Sequence, residues 1–102
     1  MMLKNKSILV TGVGKGLGHD ILLKIIDQGG FVYGITRSKS DLKKFKKIKN
    51  CKIFIGDIAN PKCFLKVINQ SKKDKRIISG LVNNAGVRQR LKFEEITENK
   101  LL

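Results

Sequence analysis

The sequence predicts an open α/β sheet of parallel strands, wound βαβαβαβ. Three observations carry this. Four short apolar runs are rich in β-branched residues, amphipathic stretches with helical spacing separate them, and a glycine-rich turn joins the first run to the first stretch. Such alternation requires right-handed crossovers and helices on both faces of the sheet. A length of 102 residues allows one small domain or a piece of a larger one.

Each element has its own local reason. Ser7-Ile8-Leu9-Val10-Thr11 is apolar on both faces, as a buried parallel strand must be. Leu17, Ile21, Leu22, Ile25 and Ile26 follow at helical spacing, and Gly29-Gly30 stops that helix. Residues 31–36 form the second strand. Leu42, Phe45 and Ile48 mark a lysine-coated helix, and residues 52–56 form the third strand. Asn60-Pro61 is a helix start, with an N-cap and a proline at the first helical position. Phe64, Leu65, Val67 and Ile68 are assigned to that helix's buried face. Residues 77–82 form the fourth strand, diluted by Ser79 and Gly80, and Thr97 is read as the cap of a further helix.

Composition excludes several classes. Hydrophobic residues make up 41% of the chain, too many for a disordered basic tail. No run of about 18 apolar residues is present, so no membrane span is expected. The start, Met1-Met2-Leu3-Lys4-Asn5-Lys6, lacks a signal-peptide pattern. Cys51 and Cys63 supply neither a disulfide framework nor a four-ligand zinc site, so no metal is expected. They are read as reduced, buried thiols of a cytoplasmic protein.

The net charge is +14, from 22 Lys+Arg against 8 Asp+Glu, and 18 of the cations are lysines scattered from Lys4 to Lys100. A nucleic-acid reader concentrates arginine and aromatic residues on one surface, so this distribution argues for solvated faces over nucleic acid. The charge would still attract anions, phosphorylated cofactors and acidic carrier proteins among them.

The turn is Thr11-Gly12-Val13-Gly14-Lys15-Gly16-Leu17-Gly18. A strand entering a helix this tightly brings backbone N–H groups close to a diphosphate, where a Cβ would obstruct. The helix dipole adds about half a positive charge at that end. The spacing is T-G-x-x-x-G-x-G, and no Gly-Lys-Ser/Thr follows, so it is not a P-loop.

Thr11-Gly12-x-x-x-Gly16-x-Gly18, Asp57 after the third strand and Asn83-Asn84-Ala85-Gly86 after the fourth together resemble the short-chain dehydrogenase/reductase family, most closely its 3-oxoacyl-carrier-protein reductases. The resemblance implies a Rossmann-type fold, incomplete here at about four strands. It makes residues 1–102 the N-terminal, cofactor-binding half of one domain. It implies a turn of Gly12, Gly14, Lys15, Gly16, Leu17 and Gly18 at the pyrophosphate. Asp57 and the Ile58 backbone would meet adenine, Asn84, Ala85 and Gly86 would pack near the adenosine ribose, and Asn83 would brace the sheet. Read without the family, Asp57 is a turn residue before the Asn60 cap, and the Asn-Asn-Ala-Gly run is a polar strand terminus.

Cofactor choice is read at the end of the second strand, which runs Gly34-Ile35-Thr36-Arg37-Ser38 with no carboxylate for ribose hydroxyls. Arg37, with Ser38 beside it, can fork onto a 2′-phosphate, and Lys15 adds a second cation. NADP is therefore expected in preference to NAD. In the family, hydride moves between nicotinamide and a carbonyl or alcohol carbon of a small molecule, and the full-length enzymes are homo-oligomers.

The family's catalytic Ser and Tyr-x-x-x-Lys residues would lie beyond residue 102, so no catalytic residue is assigned and a fragment is expected. Tyr33 has arginine at position 37 and is core or cofactor-side packing; Ser79 comes too early in the chain; His19 is a surface or cofactor-side helix residue. A standalone, non-catalytic nucleotide-binding or regulatory module fits the same residues.

Overall fold

The computed structural model describes residues 2–84. Its elements are β1 (Ser7–Thr11), α1 (Gly16–Asp27), β2 (Phe31–Thr36), a 3-10 turn (Lys39–Asp41), α2 (Leu42–Phe45), β3 (Cys51–Ile55), α3 (Pro61–Lys73) and β4 (Ile78–Asn83). The strands form one parallel sheet in the order β3-β2-β1-β4. The chain steps outward from β1 to β3 and then returns to the other side of β1. The strand order therefore reverses between β1 and β4, where open α/β sheets carry their ligands. The Thr97 cap, with Ala85 and Gly86, lies outside the described residues.

Helices cover both faces, as the alternation predicts. On one face Leu22 and Ile25 of α1 and Phe45 of α2 pack with Val10, Val13 and Val32. On the other, Cys63 and Val67 of α3 pack with Leu9, Tyr33 and Ile35. β1 and β2 are buried on both sides because helices lie above and below them. Asn60 caps α3 by accepting from the Lys62 amide at 3.0 Å, with Pro61 at the first helical position. Among the described residues no helix is long and apolar enough to cross a membrane, and no cluster of three or more His, Cys, Asp or Glu could hold a metal.

Four expectations are corrected. The lysine-coated helix is a 3-10 turn and one turn of α2; Ile48 lies beyond it, its amide still bonded to the Phe45 carbonyl at 3.0 Å. Lys43 and Lys47 would be like charges one helical turn apart, which disfavours extending α2. The buried seam of α3 is Cys63, Val67 and Ser71, at i, i+4, i+8, whereas Leu65 and Ile68 are exposed. β4 begins at Ile78, not Ile77, which is exposed, and its burial alternates along the strand as at a sheet edge. β3 runs from Cys51, which is half-buried, so only Cys63 is a buried thiol; burial pushes both thiols up from their ordinary pKa.

Tyr33 is core. Its ring is fully buried between Phe31 and Phe54, and its hydroxyl donates to Asp74 Oδ2 at 2.7 Å. Burial, then the Asp74 bond, pushes the phenol well above its ordinary range, which removes it from proton transfer near neutrality. Asp74 Oδ1 accepts from Lys52 at 2.8 Å and Gln70 at 3.0 Å. Those bonds, Lys52 first and Tyr33 second, hold the Asp74 carboxyl down at about 2. A carboxyl depressed on folding contributes stability that is complete above its unfolded pKa and is lost as pH falls toward the folded one. Urea midpoints should therefore decline between about pH 4 and pH 2, and Asp74→Asn should flatten that part of the decline. An unchanged acid limb in the variant would refute the assignment.

Candidate functional site

The carboxyl ends of the four parallel strands share one edge of the sheet, and a cavity of about 610 Å³ opens there. The turn after β1 supplies Gly12, Gly14, Lys15, Gly16 and Leu17. Thr36, Arg37 and Ser38 come from the end of β2, and Gly56, Asp57 and Ile58 follow β3. Asn84, the residue after β4, completes the lining with Ile35 and Asp41. Every residue assigned to the cofactor from sequence, within the described segment, lies on this cavity except Gly18.

Gly18 sits behind the wall. A Cβ there would overlap the Gly12 carbonyl and come within 2.5 Å of Asn84 Nδ2, so α1 can approach β1 this closely only with glycine at that point. Asn84 Nδ2 in turn donates to the Gly12 carbonyl at 3.1 Å, tying the β4 terminus to the turn. The Asn83 side chain accepts from the Thr11 hydroxyl at 3.0 Å, across the β1–β4 pair. That bond matches the bracing role the resemblance implied.

The turn's amides divide into two sets. Those of Gly12 and Val13 donate to the Ile35 carbonyl at 2.8 and 3.2 Å and are committed within the fold. Val13 is fully buried and anchors the loop in the core, a role its position between two glycines did not reveal. The amides of Gly14 and Lys15 donate to no backbone carbonyl among the described residues outside regular elements. Gly16 and Leu17 open α1, where the first-turn N–H groups have no partner within the helix. This second set, at a helix N-terminus, suits an anion.

Electrostatics at the mouth are positive. Lys15 and Arg37 are exposed and form no ion pair among the described residues. Asp57 is exposed, and its turn role is present: Oδ1 accepts from the Ala59 amide and its carbonyl from the Asn60 amide, both at 2.9 Å. It lines the cavity at the same time. His19 is half-buried, its ring 5.6 Å from that of Phe45 at the α1–α2 contact. Among the described residues the Ser79 hydroxyl reaches only the Ser7 carbonyl, at 3.5 Å.

The sequence reading missed Asp41. Neither Thr36 nor Arg37 is acidic, yet the 3-10 turn folds Asp41 back onto the end of β2, where its Oδ2 accepts from the Thr36 hydroxyl at 2.7 Å. Asp41 is buried, and a Cβ on Gly14 would overlap its carboxylate. The Thr36 hydroxyl, then Lys44 and Lys15, outweigh burial and hold the carboxyl below its ordinary range.

A dinucleotide fits what is present. Asn84 Oδ1 is buried and has no hydrogen-bond partner among the described residues, so an acceptor stands uncommitted beside the turn. It is suited to a sugar hydroxyl, as the second set of amides is to a diphosphate.

Known proteins resemble this chain in sequence and fold. An uncharacterized oxidoreductase of Saccharomyces cerevisiae is 40% identical over 86 residues, covering 80% of this chain and 34% of its own. A 3-oxoacyl-acyl-carrier-protein reductase of Buchnera aphidicola subsp. Schizaphis graminum is 33% identical over 89 residues, covering 85% of this chain and 36% of its own. Among solved structures, an apo SCOR enzyme from Clostridium thermocellum superposes with a TM-score of 0.68 at 29% identity, covering 76% of this chain and 32% of that one. The chain thus spans about a third of the length of the relatives it matches. The family profile described as short chain dehydrogenase matches residues 6–102, taking in the glycine turn, Asp57 and the Asn83–Asn84 strand end together, and the chain belongs to the short-chain dehydrogenase/reductase family.

Proposed function

We propose that this chain forms the NADP(H)-binding portion of an oxidoreductase that moves hydride between nicotinamide and a carbonyl or alcohol carbon of a small molecule. The observation that carries the reading is that Lys15 and Arg37, both exposed and in no ion pair among the described residues, share one cavity with the glycine turn. The diphosphate takes the amides from Gly14 to Leu17. The 2′-phosphate takes Arg37, Ser38 and Lys15, adenine lies by Asp57 and Ile58, and the adenosine ribose lies by Asn84, with Ala85 and Gly86 following in sequence. When bound, the cofactor supplies or accepts the hydride. The part of residues 1–102 is to bind and orient it, and none of them is assigned a catalytic proton.

Titration of the chain with NADPH and NADH, followed by cofactor fluorescence or calorimetry, tests this. NADPH should bind about tenfold tighter than NADH, the effect of one or two charge-assisted hydrogen bonds. Binding of neither, or tighter binding of NADH, would overturn the reading.

A further inference from the structure

Asp41 and Lys44 form a unit that the turn chemistry above does not require. Asp41 is 4% exposed and lines the cavity between Gly14 and the Thr36–Ser38 strand end. One of its oxygens accepts from Thr36 Oγ1 at 2.7 Å, and the other lies 3.5 Å from Lys44 Nζ. Lys44 Nζ also donates to the Gly14 carbonyl at 2.7 Å, so it is pinned between the acid and the turn. Only Lys44 and Lys52, of all the lysines in the described residues, form an ion pair. Position 14 leaves no room for a Cβ beside the carboxylate.

We propose that Asp41 is an acidic selector beside the 2′ position of the adenosine ribose, and that Lys44 neutralises it so that a phosphate is accepted there. The inference rests on the cofactor reading above. Without Lys44 this buried carboxylate keeps only the weaker pull of Lys15 and projects most of its charge into the cavity. A 2′-phosphate, with up to about two negative charges, is repelled by that field, whereas ribose hydroxyls are not. With Lys44 in place the pair is close to neutral, and Arg37 and Lys15 set the sign at the mouth. The preference for NADPH over NADH thereby depends on Lys44, a residue three positions past the acid and outside the glycine motif.

The ratio of NADPH to NADH affinity is the readout, because a change in stability alone moves both affinities together. Lys44→Met should lower that ratio about tenfold, chiefly through weaker NADPH binding. Lys44→Arg should hold it within about twofold, since the charge remains. Adding Asp41→Asn to Lys44→Met should restore it. An unmoved ratio in Lys44→Met, or an equal loss in the double variant, overturns the proposal. Should circular dichroism show Lys44→Met unfolded, Asp41→Asn alone decides: the ratio should rise about threefold, and no rise overturns the proposal. Wild-type protein that binds neither dinucleotide counts against the cofactor reading and this inference together. A wild-type preference for NADPH that no variant moves removes this inference only.

Discussion

Gly18→Ala should destabilise the chain by about 2–3 kcal/mol, the upper end for inserting a methyl into a site with no space, and should abolish dinucleotide binding with it. The methyl meets the Gly12 carbonyl, the Gly12 carbonyl carbon at 2.7 Å and Asn84 Nδ2 at 2.5 Å. Two of these obstacles are backbone and cannot rotate away. Gly12 cannot retreat, because its own amide is tied to the Ile35 carbonyl at 2.8 Å. α1 must therefore lift from β1, which breaks the Asn84 to Gly12 bond and moves the helix N-terminus off the cavity. Against a total of about 5–15 kcal/mol for a small domain, that loss is large. Gly14→Ala is the comparison. Its Cβ meets side chains, the Asp41 carboxylate and Thr36 Oγ1, which can shift without moving the main chain. Urea denaturation should rank Gly18→Ala as the more damaging. Equal losses would show that the close approach of α1 to β1 is not what position 18 protects.

The fold was legible where burial is two-sided or a local cap exists. β2 was read to the residue because Phe31–Thr36 lies between layers and has no solvent face to confuse the pattern. Asn60-Pro61 was read correctly because an N-cap is a local bond. The seam of α3 is hidden from a hydrophobic pattern because Ser71 belongs to it: that serine is buried with its hydroxyl given to the Ile68 carbonyl at 2.7 Å, so its polarity is answered within the helix. In α2 the apolar spacing of Leu42, Phe45 and Ile48 looked helical, but one turn and a following bend suffice to bury Phe45 and bring Ile48 against the same cluster. At the site, the turn and Arg37 were visible because each follows directly on a strand, and Asp57 because only Gly56 separates it from β3. Asp41 was invisible because its place depends on a 3-10 turn that carries it back five residues.

That hidden acid sharpens what is expected of Arg37→Asp. Position 37 follows β2 directly, its side chain is exposed and it lines the cavity beside Thr36 and Ser38. Replacing it removes the fork that can hold a 2′-phosphate and adds a carboxylate which, unlike Asp41, has no Lys44 to neutralise it. Losing charge-assisted hydrogen bonds of about 1.5–3 kcal/mol corresponds to a weakening of NADPH by roughly 10- to 150-fold, and the new repulsion adds to it. NADH carries no phosphate at that position, and a carboxylate can accept from its ribose hydroxyls, so its affinity should hold or improve. The preference should therefore invert, not merely vanish. Paired titrations of wild-type and Arg37→Asp protein read this directly. If both dinucleotides weaken equally, Arg37 acts on the shared diphosphate, and the 2′-phosphate must be held by Lys15 and the turn instead.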